Sequence, residues 1–145
     1  MDFIIVGGVA AVLQGAPLDT LDLDIVHSRE PANIQRLLAS LEALDASYRI
    51  SGQRGLKPRS SHLSSARHQL LLTRYSPLDL LGVIGNNRGY SDLLPHTQKV
   101  RIGAGAEVAV LDLATLIQVK AETAGEKDRA VLPLLRRTLK EKSQR

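Results

Sequence analysis

Asp22 and Asp24 are separated by one residue in Leu21-Asp22-Leu23-Asp24-Ile25-Val26, where apolar and acidic residues alternate. That alternation predicts a strand over 21–26. Residues two apart on a strand share a face, so both carboxylates project together while Leu21, Leu23 and Ile25 enter the core. Like charges held side by side favour protonation or pairing. A divalent cation relieves the repulsion, and hard ions such as Mg2+ or Mn2+ take carboxylate oxygens. The pair reads as half of a metal site, or more blandly as a solvated, turn-capping acidic pair.

Gly7-Gly8 precedes Asp22 by 13 intervening residues and falls between an apolar run and a short helical stretch. Without a Cβ, the backbone there can approach a ligand closely. The N–H groups and positive end of the following helix favour a phosphate. A Gly-Gly turn alone is usually only a tight connection; followed by Asp-x-Asp on a strand it is far more specific. His27, His62, His68 and His96 are scattered without metal-ligand spacing and read as structural. No P-loop, Rossmann fingerprint or Ser-His-Asp arrangement can be assembled from the chain.

The elements that must position these groups follow from the pattern of the chain. Phe3–Val6 reads as a buried strand, 9–14 as a short helix ended by Gly15 and Pro17, and Pro31 as the first turn of a second helix. That second helix carries the stripe Ile34, Leu37, Leu38, Leu41 and Leu44. Residues 51–67, rich in Ser, Gly and Arg, read as a long loop. Residues 69–73 and 78–84 read as strands, with Ser76-Pro77 turning between them or bending one longer strand, and 85–89 as a loop. Residues 100–102 and 107–110 flank Gly103-Ala104-Gly105 as a hairpin. Asp112 suits the cap of a helix with Leu113, Leu116, Ile117 and Lys120, running to Gly125. A last helix is expected at 128–141, with Pro133 either inside it or marking its start. Alternating elements followed by clustered strands predict an α+β domain over 1–145, a mixed sheet with helices packed on it.

Composition sets the outer bounds. The 145 residues include no Cys or Trp, one Phe and three Tyr, so the core must be aliphatic and thiolate metal sites are excluded. No apolar run approaches the roughly 20 residues that cross a bilayer. The start lacks a basic leader, and the expected setting is cytoplasmic, without membrane attachment. The net charge of +4 is uneven: residues 1–45 carry seven acids and two bases, and 49–74 carry six bases and no acid. This is either an acidic metal-binding end facing a basic, phosphate-attracting wall or a solvated basic loop. Tyr48 and Tyr75 lie only at the margins of the basic stretch, so it shows no base-stacking platform.

The order strand, Gly-Gly, short helix, Asp-x-Asp resembles the signature of the nucleotidyltransferase superfamily, with its polymerase-beta-like fold. Within it the chain is most similar to the small prokaryotic minimal and AbiEii-type members, through Gly7-Gly8-Val9-Ala10, Thr20 and Asp22-Leu23-Asp24-Ile25. Ser76-Pro77-Leu78-Asp79-Leu80-Leu81-Gly82 matches the strand bearing a third carboxylate. The run 110–117, with Lys120 and Lys127-Asp128, matches a C-terminal helical segment. The likeness spans most of the chain except 49–67 and the extreme tail. It departs where Asp19 stands in a stretch that is basic in many relatives, and where Val9 replaces a frequent Ser.

The resemblance implies that Asp22, Asp24 and Asp79 bind Mg2+ or Mn2+, with Asp79 also helping to deprotonate an attacking hydroxyl. Gly7, Gly8, Thr20 and Lys120 would hold a nucleoside triphosphate, ATP foremost. The activity implied is nucleotidyl transfer to a hydroxyl on a protein, nucleic acid or small molecule, releasing pyrophosphate. A toxin–antitoxin setting, a helical partner protein and a homo-oligomer are compatible with it. The alternative is a regulatory module of the same fold in such a pair, with weak or lost catalysis. On the residues alone, Asp79 reads equally as a cap after Pro77, Lys120 as a solvated side chain, and Lys127-Asp128 as a capping pair.

Overall fold

The structure is a computed structural model describing residues 1–145 except Ser51, Gln53, Ala124, Gly125 and Arg145; for residues 126–129 it describes the backbone alone. Gly125, expected to end a helix, and the side chains of Lys127 and Asp128 thus lie outside the described residues. The apolar run Phe3–Val6 forms β1, followed by α1 (Gly7–Leu13) and β2 (Leu23–His27). After α2 (Pro31–Ala43) come β3 (Ser47–Tyr48), α3 (Ser60–Ser64), β4 (His68–Leu72) and β5 (Pro77–Leu81). Helix α4 (Tyr90–Leu93) runs into a 3-10 turn (Leu94–His96), then β6 (Thr97–Ile102), β7 (Ala106–Leu111), α5 (Leu113–Thr123) and α6 (Glu126–Ser143).

Seven strands form one mixed sheet in the order β3-β4-β5-β2-β1-β7-β6. Strand β2 lies antiparallel to β1 and parallel to β5, while β1 lies parallel to β7. Because side chains alternate between faces, the register sorts the chemistry. One cross-strand row runs Leu70, Asp79, Asp24, Val6. The adjacent row, Gln69, Leu80, Ile25, Ile5, faces the other way and is buried throughout. The core on this second face joins Leu71 and Leu80 to Ile34, Leu37 and Leu41 of the α2 stripe. Helix α5 starts where expected: the Thr115 amide donates to the Asp112 carboxylate at 2.8 Å. At the end of α1, the Gln14 amide donates to the Leu111 carbonyl at 2.7 Å, tying that helix to β7.

The α+β class, the mixed sheet and the β4–β5 hairpin agree with the sequence. Two details differ. Strand β2 begins at Leu23, so Asp22 precedes it and Leu21 is 86% exposed instead of entering the core. The 51–67 stretch is not all loop: α3 buries Leu63 completely, and His27 donates its Nε2–H to the Leu63 carbonyl at 2.8 Å. A single apolar residue in a Ser- and Arg-rich context carries no helical period, so this anchor leaves no sequence pattern. Pro133 lies inside α6, one of the two placements expected for it.

Because Leu63 is fully buried, Leu63→Ala is expected to lower the unfolding free energy by about 2–4 kcal/mol in urea titrations. A change below about 0.5 kcal/mol, as for a solvated loop, would show that α3 is not part of the core.

Candidate active site

Asp24 and Asp79 are direct register partners across the parallel β2–β5 pair. Each has a buried carboxylate oxygen (Oδ1) with no hydrogen-bond donor. Two carboxylates supply acceptors only, so a proton held between them, a metal ion or another cation must satisfy those atoms. Burial, and then the charge of Asp79, push the Asp24 carboxyl up to about 7. Asp22 adds to that shift, and the Lys120 ammonium opposes it.

The backbone before the pair is shaped to it. Gly7 has φ +68, and a Cβ there would lie 2.5 Å from the Asp24 Oδ2 atom, so only glycine fits without displacing the carboxylate. A Cβ on Gly8 would lie 2.9 Å from the Thr20 hydroxyl, so Thr20 sits directly over that second glycine. The Thr20 hydroxyl in turn donates to the Asp22 carbonyl at 3.4 Å, linking the residues ahead of β2.

Arg49, just past β3, lies against the carboxylates from the far side. Its Nη1 is 2.7 Å from Asp79 Oδ1, and its Nη2 is 3.9 Å from Asp22 Oδ2. The Nη1–H is directed to the Leu71 carbonyl at 2.7 Å, so the contact with Asp79 is coulombic and not an aligned hydrogen bond. Sequence reasoning counted Arg49 only as one base in a basic stretch. The charge asymmetry was the one signal, and finding the residue needs the β3–β4–β5 register.

The carboxylates open into a cleft of about 450 Å³ bounded by Gly7, Leu81, Ile84, Val119 and Lys120. His68 also lines it, with its Nε2 3.1 Å from the Val83 carbonyl, so this histidine borders the site as well as the scaffold. The far wall is locked by Arg88, which donates to both Glu122 oxygens at 3.1 and 2.7 Å. That pair, with the Asn86 amide, holds the Glu122 carboxyl down at about 2.

Of the expected residues, Asp24, Asp79, Gly7 and Lys120 share this cleft. Asp22 stands at its rim, with its side chain 48% exposed. Gly8 and Thr20 form the layer behind. Among the described residues, no three His, Asp or Glu side chains are gathered closely enough to form a ready metal cage. The donor type nevertheless fits a hard divalent ion: Asp24 and Asp79 each present a carboxylate oxygen without a hydrogen-bond donor, and Gly7 leaves the space beside Asp24 clear.

No family model matches the sequence, and no curated protein matches it. Solved structures do. One is TM1012 from Thermotoga maritima, provisionally described as a nucleotidyltransferase: TM-score 0.57 and 18% identity, covering 97% of this chain and 83% of that one. Another is the lincosamide antibiotic adenylyltransferase LnuA with lincomycin bound: TM-score 0.57 and 11% identity, covering 92% and 85%. At these identities the likeness is one of fold. The chain has the nucleotidyltransferase fold.

The raised Asp24 value has a consequence for stability. The folded protein keeps the Asp24 proton up to about pH 7, whereas the unfolded chain loses it near 3.8. This contribution is fully present below 3.8 and is lost as pH rises through 7. In EDTA, the unfolding free energy of the protein relative to Asp24→Asn is expected to fall by about 1–2 kcal/mol from pH 4.5 to 8, allowing for solvent screening. His27, held below its usual value by burial, is common to both proteins and cancels. A flat difference would show that burial and the charge of Asp79 do not raise the Asp24 carboxyl.

Proposed function

We propose that the chain is a Mg2+- or Mn2+-dependent nucleotidyltransferase that moves a nucleoside monophosphate from a triphosphate to a hydroxyl. The observation that carries this reading is the Asp24–Asp79 pair, whose buried oxygens without a hydrogen-bond donor lie at a cleft that Gly7 and Lys120 border. In this reading, Asp22, Asp24 and Asp79 hold the divalent ions. When bound, such ions neutralise charge on the attacking and leaving oxygens of an in-line displacement.

The chain's own residues divide the remaining work. Gly7 keeps the backbone clear beside the Asp24 carboxylate, while Gly8 at the start of α1, with Thr20 packed against it, receives the triphosphate oxygens. Lys120, across the cleft, supplies positive charge to the phosphates. Asp79 accepts the proton of the acceptor hydroxyl. The hydroxyl oxygen then bonds to the α-phosphorus, the bond to the β-phosphate oxygen breaks, and pyrophosphate leaves. The apolar side of the cleft, with Leu81, Ile84 and Val119, excludes water from that step.

Adenylyl transfer by LnuA makes ATP the first triphosphate to test. The likeness to stand-alone AbiEii-type members makes a protein or RNA acceptor, a toxin–antitoxin setting and a helical partner part of the proposal. A second reading, a regulatory module without catalysis, is favoured by Arg49, which lies against Asp79 where a working site needs a free carboxylate.

Mg-ATP at millimolar concentration is expected to raise the Tm by several degrees, as any ligand preferring the folded state does. If ATP, CTP, GTP and UTP all leave the Tm unchanged, the regulatory reading replaces this one. Asp79→Asn is expected to keep that nucleotide-induced shift while transfer of labelled nucleotide to protein or RNA falls at least about 100-fold, since a proton acceptor acts mainly in the transition state. Transfer at the wild-type rate would reduce Asp79 to a structural role.

A further inference from the structure

We propose that Arg49 is the resident counter-cation of the carboxylate cluster, competing with a divalent ion for Asp79 and giving way when that ion binds. The inference rests on the metal-site reading above and adds a residue outside the matched motif.

Arg49 reaches the cluster by a defined path. Its backbone N–H donates to the Leu70 carbonyl at 3.3 Å, extending the β3–β4 pairing by one residue. Leu70 is the register partner of Asp79, so Arg49, Leu70, Asp79 and Asp24 follow one another across four neighbouring strands. The guanidinium thus meets two of the three acids that the metal-site reading assigns, Asp79 at 2.7 Å and Asp22 at 3.9 Å.

The contact is built to be broken. Its donor is already directed at the Leu71 carbonyl, and Asp79 Oδ1 remains without a hydrogen-bond donor despite the short separation. Arg88 and Glu122 show what a permanent pair looks like in this chain: two aligned hydrogen bonds, a backbone amide added to one oxygen, and α5 fixed to the 85–89 loop. Arg49 offers Asp79 charge without that geometry. Its side chain is 26% exposed, which leaves it a way out toward solvent.

Electrostatics sets the direction of exchange. A guanidinium does not lose its proton in a protein, so it can vacate the cluster only by moving. A divalent ion brings twice the charge to the same oxygens and accepts them as ligands, so it wins at sufficient concentration. The guanidinium lowers the apparent affinity for that ion, and in return it keeps the acidic residues paired when the ion is absent. Once displaced, it remains beside the cleft as a cation available to a phosphate.

The test is Mn2+ binding without nucleotide, followed by calorimetry and by the Mn2+-induced rise in Tm. Arg49→Gln, which keeps a donor for the Leu71 carbonyl, is expected to bind Mn2+ about tenfold more tightly than wild type, to melt lower in EDTA and to gain more Tm on adding Mn2+. Arg49→Lys, which retains the charge and serves as the folded reference, is expected to stay within about threefold of wild type. Mn2+ binding to wild type with equal or weaker binding to Arg49→Gln, or tenfold tighter binding to Arg49→Lys, would overturn the counter-cation role and leave the metal site standing. Absence of Mn2+ binding to all three proteins would overturn both.

Discussion

Two half-buried carboxylates that face one another across adjacent parallel strands, each with one buried oxygen, cannot both be charged and uncompensated. Asp24 and Asp79 are in this position because β2 and β5 run parallel in the register that pairs them. Neither residue can turn away without breaking the alternation that puts Ile25 and Leu80 into the core. The repulsion is therefore a property of the sheet itself. A proton on Asp24, the charge of Lys120 and the approach of Arg49 all answer it. So does the glycine at position 7, which leaves the space next to Asp24 Oδ2 unfilled.

The topology explains where the compensating cation comes from. A parallel pair needs a long crossover, and the one between β2 and β5 contains α2, β3, α3 and β4. It packs the core face with the apolar stripe of α2 and with Leu63 of α3. It also lays β4 beside β5 and brings the short edge strand β3 to the outside of β4. Arg49 projects from the end of that edge strand. Tyr48, one residue before it, is fixed by its hydroxyl donating to Gln69 at 2.6 Å and by an edge-on contact with the His62 ring. The basic stretch therefore does two jobs: Leu63 holds the core, and Arg49 reaches the acids.

These features explain what could be read from the sequence. The strand at β1, the α2 stripe, the β4–β5 hairpin and the α5 cap each rest on local periodicity or turn chemistry, which one segment carries by itself. The Asp22-Leu23-Asp24 spacing and Gly7-Gly8 were legible for the same reason. Asp79 was reached through resemblance, because one acid in an apolar run has no local meaning until β5 lies against β2. Arg49, His68 and Leu63 depend wholly on pairing between distant segments. The expectation for Leu21 failed because strand alternation was carried two residues too far: at Asp22 the chain is still in the connection between α1 and β2, with Thr20 packed against Gly8.

The two arginine–carboxylate pairs mark opposite uses of one interaction. Glu122 is saturated, accepting from Arg88 through two aligned N–H groups and from the Asn86 amide, and Gly85 leaves room for it, since a Cβ there would lie 2.5 Å from Glu122 Oε1. That saturation fixes the wall of the cleft to α5, the helix that also carries Lys120. Asp79 is deliberately undersupplied by comparison, close to a cation but without an aligned donor. A wall held by hydrogen bonds keeps its shape as ligands enter and leave. A carboxylate held by charge alone keeps its lone pairs for whatever cation arrives. The sheet fixes the acids and the locked wall fixes the volume in front of them, so exchange at the centre does not require the fold to move.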